Sequence, residues 1–169
     1  MDRESGCGFI GGNQPGNSVD PSRTEGFLLF TSEIHPDLIQ AYTETEFRVL
    51  DGSPFTMQVG KVSGDLLLAH KSHGVECSAF LTACNPFSQE LTSEANGVRQ
   101  KALAKELVSR NLEFVGGIGQ HPSNQWSGEP SYLVFGLSLE AAKTLGNRFE
   151  QNAIVWSGSD GVPQLILLR

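Results

Sequence analysis

Polar side chains that could bind a ligand or move a proton fall at the predicted ends of strands and at the start of a predicted helix. The set consists of Asn85, Asn96, Arg99, His121, Trp126, Glu129, Ser131 and Gln151. Rigid scaffolds commonly present binding groups at such boundaries. The planar guanidinium group of Arg99 could make two parallel hydrogen bonds to a carboxylate or phosphate. Trp126 offers a ring for stacking, and His121 or Glu129 could accept a proton. The pattern favours a site for an anionic small molecule or nucleotide.

The same residues also permit interpretations without a ligand. Glu129 could pair with Arg99 inside the fold, and Asn85 before Pro86 is ordinary turn chemistry. We expect the ligand hypothesis to fail if Arg99 and Glu129 point to opposite faces of the sheet. Two other functions stay open: a protein-interaction or regulatory module without catalysis, and a hydrolase or nuclease that uses His121 or Glu129.

Other chemical motifs are incomplete. His70, His73 and Cys77 form H-x-x-H-x-x-x-C, a spacing that matches no standard zinc site, so we predict no metal. The GGIG run at 116–119 lacks the helix that a dinucleotide-binding turn needs directly after it, so we predict no cofactor. A nucleophilic pair of Cys84 with His121 would require the fold to join two strand ends.

Turn and capping residues divide the chain into elements. Pro36 opens a helix, Thr92 or Ser93 caps a long helix over 94–111, and Ser138 caps another. Strands are expected at 47–50, 55–62, 66–69, 75–83, 112–118, 131–137, 152–156 and 164–168, with HKSHG as the turn of a hairpin. The stretch from Gly116 to Gly136 is interpreted as a long inter-strand loop with its anchoring strand ends, and long loops are often functional.

This order predicts an α+β fold. From Ala79 onward the elements follow the split β-α-β pattern of a ferredoxin-like core, a two-layer sandwich with helices on one face of a mainly antiparallel sheet. The N-terminal helix and the earlier strands extend that sheet. Residues 1–26 are rich in Gly, Ser, Asn and Pro and are expected to form a disordered leader, which leaves 27–169 as a single domain with Phe27–Phe30 as a lead-in.

Composition limits partners and location. The 169 residues carry a formal net charge of -7, which makes nucleic acid an unfavoured partner. No apolar run is long enough to span a membrane, and no signal peptide is evident, so we predict a cytoplasmic protein. Cys7, Cys77 and Cys84 make an odd count. Cys77 and Cys84 would lie about 20 Å apart in one strand at ~3.3 Å per residue, too far to form a disulfide.

Several blocks of the sequence resemble a known family. TACNPFS, EANGVRQKAL, GEPSYLVFGLS, RFEQNAIVW and LILLR follow one another as in the bacterial domain-of-unknown-function family numbered three-two-nine-three. The resemblance covers 35–169 and implies a compact α/β domain, bacterial or phage-borne, with no assigned activity. This chain has Cys84 and Glu150 where the family pattern leads us to expect Trp and Gly.

Overall fold

The structure is a computed structural model that describes residues 32–123 and 125–169. In chain order its helices and strands are α1 (Pro36–Glu44), β1 (Glu46–Val49), β2 (Phe55–Met57), α2 (Gly64–Ser72), β3 (Ser78–Leu81), a short 3₁₀ turn (Pro86–Ser88), α3 (Ser93–Ser109), β4 (Phe114–Gln120), β5 (Glu129–Phe135), α4 (Leu139–Arg148), β6 (Ala153–Ser157) and β7 (Gln164–Leu167). The predicted leader, the Phe27–Phe30 lead-in and Cys7 lie outside the described residues.

One sheet organises the described chain. Its seven strands follow the order β2-β1-β4-β5-β3-β6-β7, and every neighbouring pair is antiparallel. Helices α3 and α4 connect strands that are not neighbours: α3 joins β3 to β4, and α4 joins β5 to β6. The mixed α+β class with a mainly antiparallel sheet is therefore confirmed.

Alternate side chains along each strand enter two separate cores. On β3, Ala79 and Leu81 pack with Leu103 of α3 and Leu145 of α4. This side is called the helical face. Phe80 points to the opposite side and packs with Leu66 of α2, and this side is called the groove face. The prediction of a two-layer sandwich with helices on one face is wrong, because helices cover both faces and all four residues of β3 are buried.

Helix α2 replaces the hairpin predicted around HKSHG. Ser63 accepts a hydrogen bond from the backbone N–H of Leu66, which caps the helix start. Within α2, Leu66 and His70 are buried, and their spacing of four residues places them on one helix face. Leu68 is 66% exposed, so the apolar run Leu66–Ala69 was wrongly interpreted as a strand. The strand predicted at 55–62 also ends early, at Met57.

The hairpin of β4 and β5 is longer than predicted. Strand β4 includes the GGIG run and continues to Gln120, so the loop covers only 121–128. Gly117 faces Phe80, and a Cβ added there would lie 2.7 Å from both the Phe80 ring and the Arg48 carbonyl oxygen. The glycine at 117 is therefore required by close packing and not by a phosphate turn.

The start residues of three helices agree with the prediction. His35 Nδ1 accepts from the Asp37 N–H as α1 begins at Pro36, Thr92 accepts from Ala95 at the start of α3, and Ser138 accepts from Ala141 at the start of α4. These caps satisfy backbone donors that have no partner within the helix.

Candidate ligand-binding groove

A groove lies between α1 and the sheet on the groove face. Its wall is formed by Leu38, Ala41, Tyr42, Thr45, Phe47, Phe80, Thr82, Asn85, Ser88, Gly119, His121, Trp126, Ser127, Glu129, Ser131, Gln151, Ala153, Ile154, Val155 and Leu165. This set is called the α1 groove. The groove has a cavity volume of about 130 Å³. On the same measure, one water molecule needs only ~10–15 Å³. An apolar wall with a few polar groups is the usual composition of a small-molecule site.

Helix α1 forms one wall without closing onto the sheet. Leu38, Ala41 and Tyr42 lie on its inner side and line the α1 groove, yet no residue of α1 is buried. On the strand opposite, Gly119 contributes no side chain to the groove. A Cβ there would meet Thr45 and Phe47 only at ordinary distances of 3.7 and 3.8 Å. The groove exists because α1 buries none of its residues against the sheet and because Gly119 has no side chain to fill the space between them.

A hydrogen-bond network of Asn85, Asn96 and Glu129 borders the groove. The Asn85 side-chain Nδ2 donates to Glu129 Oε1 at 2.6 Å. The Asn85 backbone N–H donates to Asn96 Oδ1 at 2.9 Å, and Asn96 Nδ2 donates back to Asn85 Oδ1 at 2.8 Å. Asn96 therefore positions Asn85, which in turn orients the Glu129 carboxylate.

Glu129 is the electrostatic centre of the groove. Burial raises the pKa of this carboxyl group, and the hydrogen bond from Asn85 lowers the pKa in part. Within the described chain, Asn85 is the side chain that donates to this carboxylate, which can accept about four hydrogen bonds. A carboxylate held in an apolar wall with acceptor capacity left over is suited to bind a donor.

Strained backbone lies beside this carboxylate. Asn85, Phe87 and Ser88 have φ values of 47°, 51° and 58°, a left-handed conformation that is uncommon outside glycine. Ser88 is held by the Tyr42 hydroxyl at 2.5 Å and by Asn152 Nδ2 at 3.0 Å. Such strain concentrates at functional sites, where surrounding contacts maintain it.

Arg99 lies outside the groove wall and acts as a brace. Its Nε donates to Ala83 O at 2.7 Å, its Nη2 donates to Phe149 O at 2.6 Å, and its Nη1 contacts Glu150 at 3.1 Å. The alternative Arg99–Glu129 pair does not form: the arginine extends from α3 on the helical face, whereas Glu129 lines the groove. This arrangement meets the condition under which we expected the hypothesis of an anion site at this cluster to fail.

Gln151 is buried and ties two chain segments together. Its Nε2 donates to Cys84 O at 3.0 Å and to Phe149 O at 3.1 Å. Cys84 itself is buried, and burial raises the pKa of its thiol. A thiol in this state is a poor nucleophile. Cys84 does not line the groove, and neither Cys77 nor Cys84 forms a disulfide.

His121 lies between a carboxylate and a serine at the edge of the groove. Its Nε2 is 3.0 Å from Glu44 Oε2, and its Nδ1 is 2.8 Å from Ser123 Oγ. The Ser123 backbone N–H also donates to Nδ1 at 3.2 Å, so Nδ1 is the acceptor of a local turn and Nε2 carries the proton toward Glu44. The contacts of His121 with Ser123 and Glu44 therefore hold the loop in place. Ser123 is not part of the groove wall.

The three residues considered for zinc are dispersed. His70 is buried, and its Nε2 lies 2.8 Å from Ser78 Oγ. His73 pairs with Glu113 and stacks on Phe135 at 3.8 Å, while Cys77 contacts Leu137 O. Across the described residues, no group of three or more His, Cys, Asp or Glu side chains is placed to hold a metal ion.

Most of the predicted site residues share the groove. Asn85, His121, Trp126, Glu129, Ser131 and Gln151 line it, whereas Asn96 and Arg99 do not. The wall contributed by α1 was missed, because the sequence pattern predicted the helix but not its position beside the groove. Ser88 was missed as well, because only the left-handed turn after Asn85 turns its side chain toward Tyr42.

These features define a mixed α+β domain with a candidate small-molecule groove on one face of a single sheet. Residues 81–154 match the model of the family described as Protein of unknown function (DUF3293). This match supports the resemblance to the family noted in the sequence, over that segment. No curated protein and no solved structure gave a match. Among the described helices, none is both long and apolar enough to cross a membrane.

The matched segment contains the network of Asn85, Asn96 and Glu129 but excludes α1. It also contains Glu150, where we expected glycine from the family pattern. Glu150 has a φ of 59°, a conformation that glycine adopts without steric cost. The backbone at this position therefore adopts a conformation suited to glycine, with a glutamate that pairs with Arg99.

Proposed function

We propose that this protein binds a small organic molecule in the α1 groove. The observation that supports the proposal most is the partly buried Glu129 carboxylate, oriented by Asn85 in a wall that is otherwise largely apolar. A buried carboxylate without an ion-pair partner lowers stability. The strained turn Asn85–Ser88 beside it is a second feature that costs stability. Both features are explained if they serve a ligand.

The sequence indicated an anionic ligand held by Arg99. We abandon that version, because Arg99 and Glu129 lie on opposite faces of the sheet, and three protein oxygens already engage the guanidinium. The proposed groove therefore lacks an anion clamp, and Trp126 and Glu129 become its principal recognition groups.

We also propose that β3, β4, β5 and β6 with α3 and α4 form a ferredoxin-like core. Their spatial order is β4-β5-β3-β6, and each neighbouring pair is antiparallel. Two split β-α-β crossovers produce this order. In this view β1, β2 and β7 extend the core, and α1 with α2 adds a second helical layer.

The experiment is a screen of small organic compounds by protein-observed NMR, with Gly119→Val as the test variant. A Cβ at this strand position meets its neighbours at ordinary distances, so we expect the variant to fold while the valine side chain occupies space in the groove. Compounds that bind wild type should lose at least about tenfold in affinity, because the pocket space is removed.

Two controls make the result specific. Gly97→Ala changes a glycine of α3 that has no neighbour within 4 Å of an added Cβ, and binding should be unchanged. Arg99→Ala should lower the thermal midpoint while leaving the dissociation constant unchanged. Binding that persists in Gly119→Val would contradict the proposal.

A further inference from the structure

We infer that the α1 groove selects a small organic cation, a protonated amine attached to an apolar body. This inference rests on the proposed function, because it names the chemical class of the ligand for the same groove. It reverses the charge of the ligand that the sequence indicated.

The charge of the wall supports a cation. Among the described residues that line the groove there is no Lys or Arg, while Glu129 contributes a carboxylate. His121 at the edge is turned toward Glu44 at 3.0 Å. An ammonium group carries three donors and no acceptor, and it matches a carboxylate to which Asn85 gives one hydrogen bond.

The nearby positive charge is already compensated. Arg99 pairs with Glu150 at 3.1 Å and donates to two backbone oxygens, Ala83 O and Phe149 O. Its guanidinium is therefore held at α3 and does not neutralise Glu129. An entering ammonium group would supply the partner that the buried carboxylate lacks, and charge-assisted hydrogen bonds are the stronger kind.

Aromatic rings line the remainder of the groove. Trp126 is 51% exposed at the edge, Tyr42 lies on α1, and Phe47 and Phe80 contact each other edge to face at 5.3 Å on the sheet. Aromatic faces attract ammonium groups, and the same rings bury an apolar body. A cavity of about 130 Å³ fits a compact amine. The protein's net charge of -7 favours the approach of cations.

The test uses three probes with one apolar body: benzylamine, benzyl alcohol and benzoate. Each is titrated into the full-length protein at neutral pH and low salt, and dissociation constants are obtained from NMR shifts of groove residues. Benzylamine should bind about tenfold or more tightly than benzyl alcohol, since a hydrogen bond to a charged group is worth ~1.5–3 kcal/mol. Benzoate should bind weakest.

Two variants, each of which removes one negative charge, show whether Glu129 causes the preference for benzylamine. Glu129→Gln keeps an oxygen acceptor for Asn85 and should remove the preference for benzylamine while leaving benzyl alcohol unaffected. Glu140→Gln changes an exposed carboxylate on α4 and should leave all three constants unchanged.

The outcomes separate the two proposals. Equal binding of amine and alcohol to wild type, or a preference for the amine that survives Glu129→Gln, would overturn the cation inference while leaving a functional groove. A preference for the amine that is lost in Glu129→Gln but kept in Glu140→Gln, together with binding of both probes that is lost in Gly119→Val, would support it. If none of the three probes shifts a groove residue at millimolar concentration, the cation inference is overturned, and the compound screen with Gly119→Val decides the proposed function separately.

Discussion

The two faces of the sheet share the same strands but are packed to different degrees. On the helical face, Leu103 and Leu107 of α3 and Leu145 of α4 are at most 1% exposed. On the groove face, α2 buries Leu66, whereas α1 buries none of its own residues. One face is therefore fully packed, whereas part of the other leaves space open beside α1.

The polar groups differ in the same way. On the helical side, Arg99 has partners for its Nε, Nη1 and Nη2 atoms. On the groove side, Glu129 keeps unused acceptor capacity and Ser88 adopts a strained conformation. Arg99 therefore completes the structure, whereas Glu129 marks the place where we propose that a ligand binds.

The strongest test of this comparison truncates one leucine on each face. Leu107→Ala should reduce the free energy of unfolding by about 2–5 kcal/mol, because it leaves a cavity in a fully packed core. Leu38→Ala, on the inner side of α1, should cost less than about 1 kcal/mol, because that side chain is only half-buried next to open space. Both values come from urea denaturation. Similar losses for the two variants would show that α1 is packed as tightly as α3.

A second test uses two glycines on β4 that both face the groove side. Gly117→Ala should cost about 1–3 kcal/mol, since the new Cβ would lie 2.7 Å from the Phe80 ring and from Arg48 O. Gly119→Ala should stay within about 0.5 kcal/mol of wild type, because its Cβ meets only ordinary contacts. The thermal midpoints of the pair show where the close packing ends and the groove begins. Equal destabilisation would place Gly119 in the packed region.

Local signals explain what the sequence could predict. The starts of α1, α3 and α4 depend on Pro36, Thr92 and Ser138, which act on backbone groups a few residues away. Polar residues at strand ends also pointed to Asn85 and Glu129, because antiparallel neighbours bring alternate strand ends to one edge of the sheet.

Long-range placement explains what the sequence could not predict. The role of Arg99 depends on two carbonyl oxygens, Ala83 O and Phe149 O, that only the finished fold brings together. Helix α2 was missed because its second buried residue is a histidine, His70, so the pattern showed an apolar run without helical periodicity. The wall formed by α1 depends on how far the helix stands from the sheet, which residue types do not encode locally.

The smallest expected effect concerns the charge of Glu129. Burial raises its folded-state pKa above the ordinary value near 4.5. Between these two pKa values the folded protein binds more protons than the unfolded chain, so Glu129 lowers stability as the pH rises through that window. Glu129→Gln should therefore raise the thermal midpoint at pH 7, by about 2–4 °C for each kcal/mol of relieved penalty. At pH values below about 4, where Glu129 is protonated in both states, wild type and variant should coincide. The exposed Glu140→Gln should show no such divergence. A lower midpoint for Glu129→Gln at pH 7 would mean that the carboxylate stabilises the fold, and the contrast between a completed helical face and an incomplete groove face would then no longer hold at this residue.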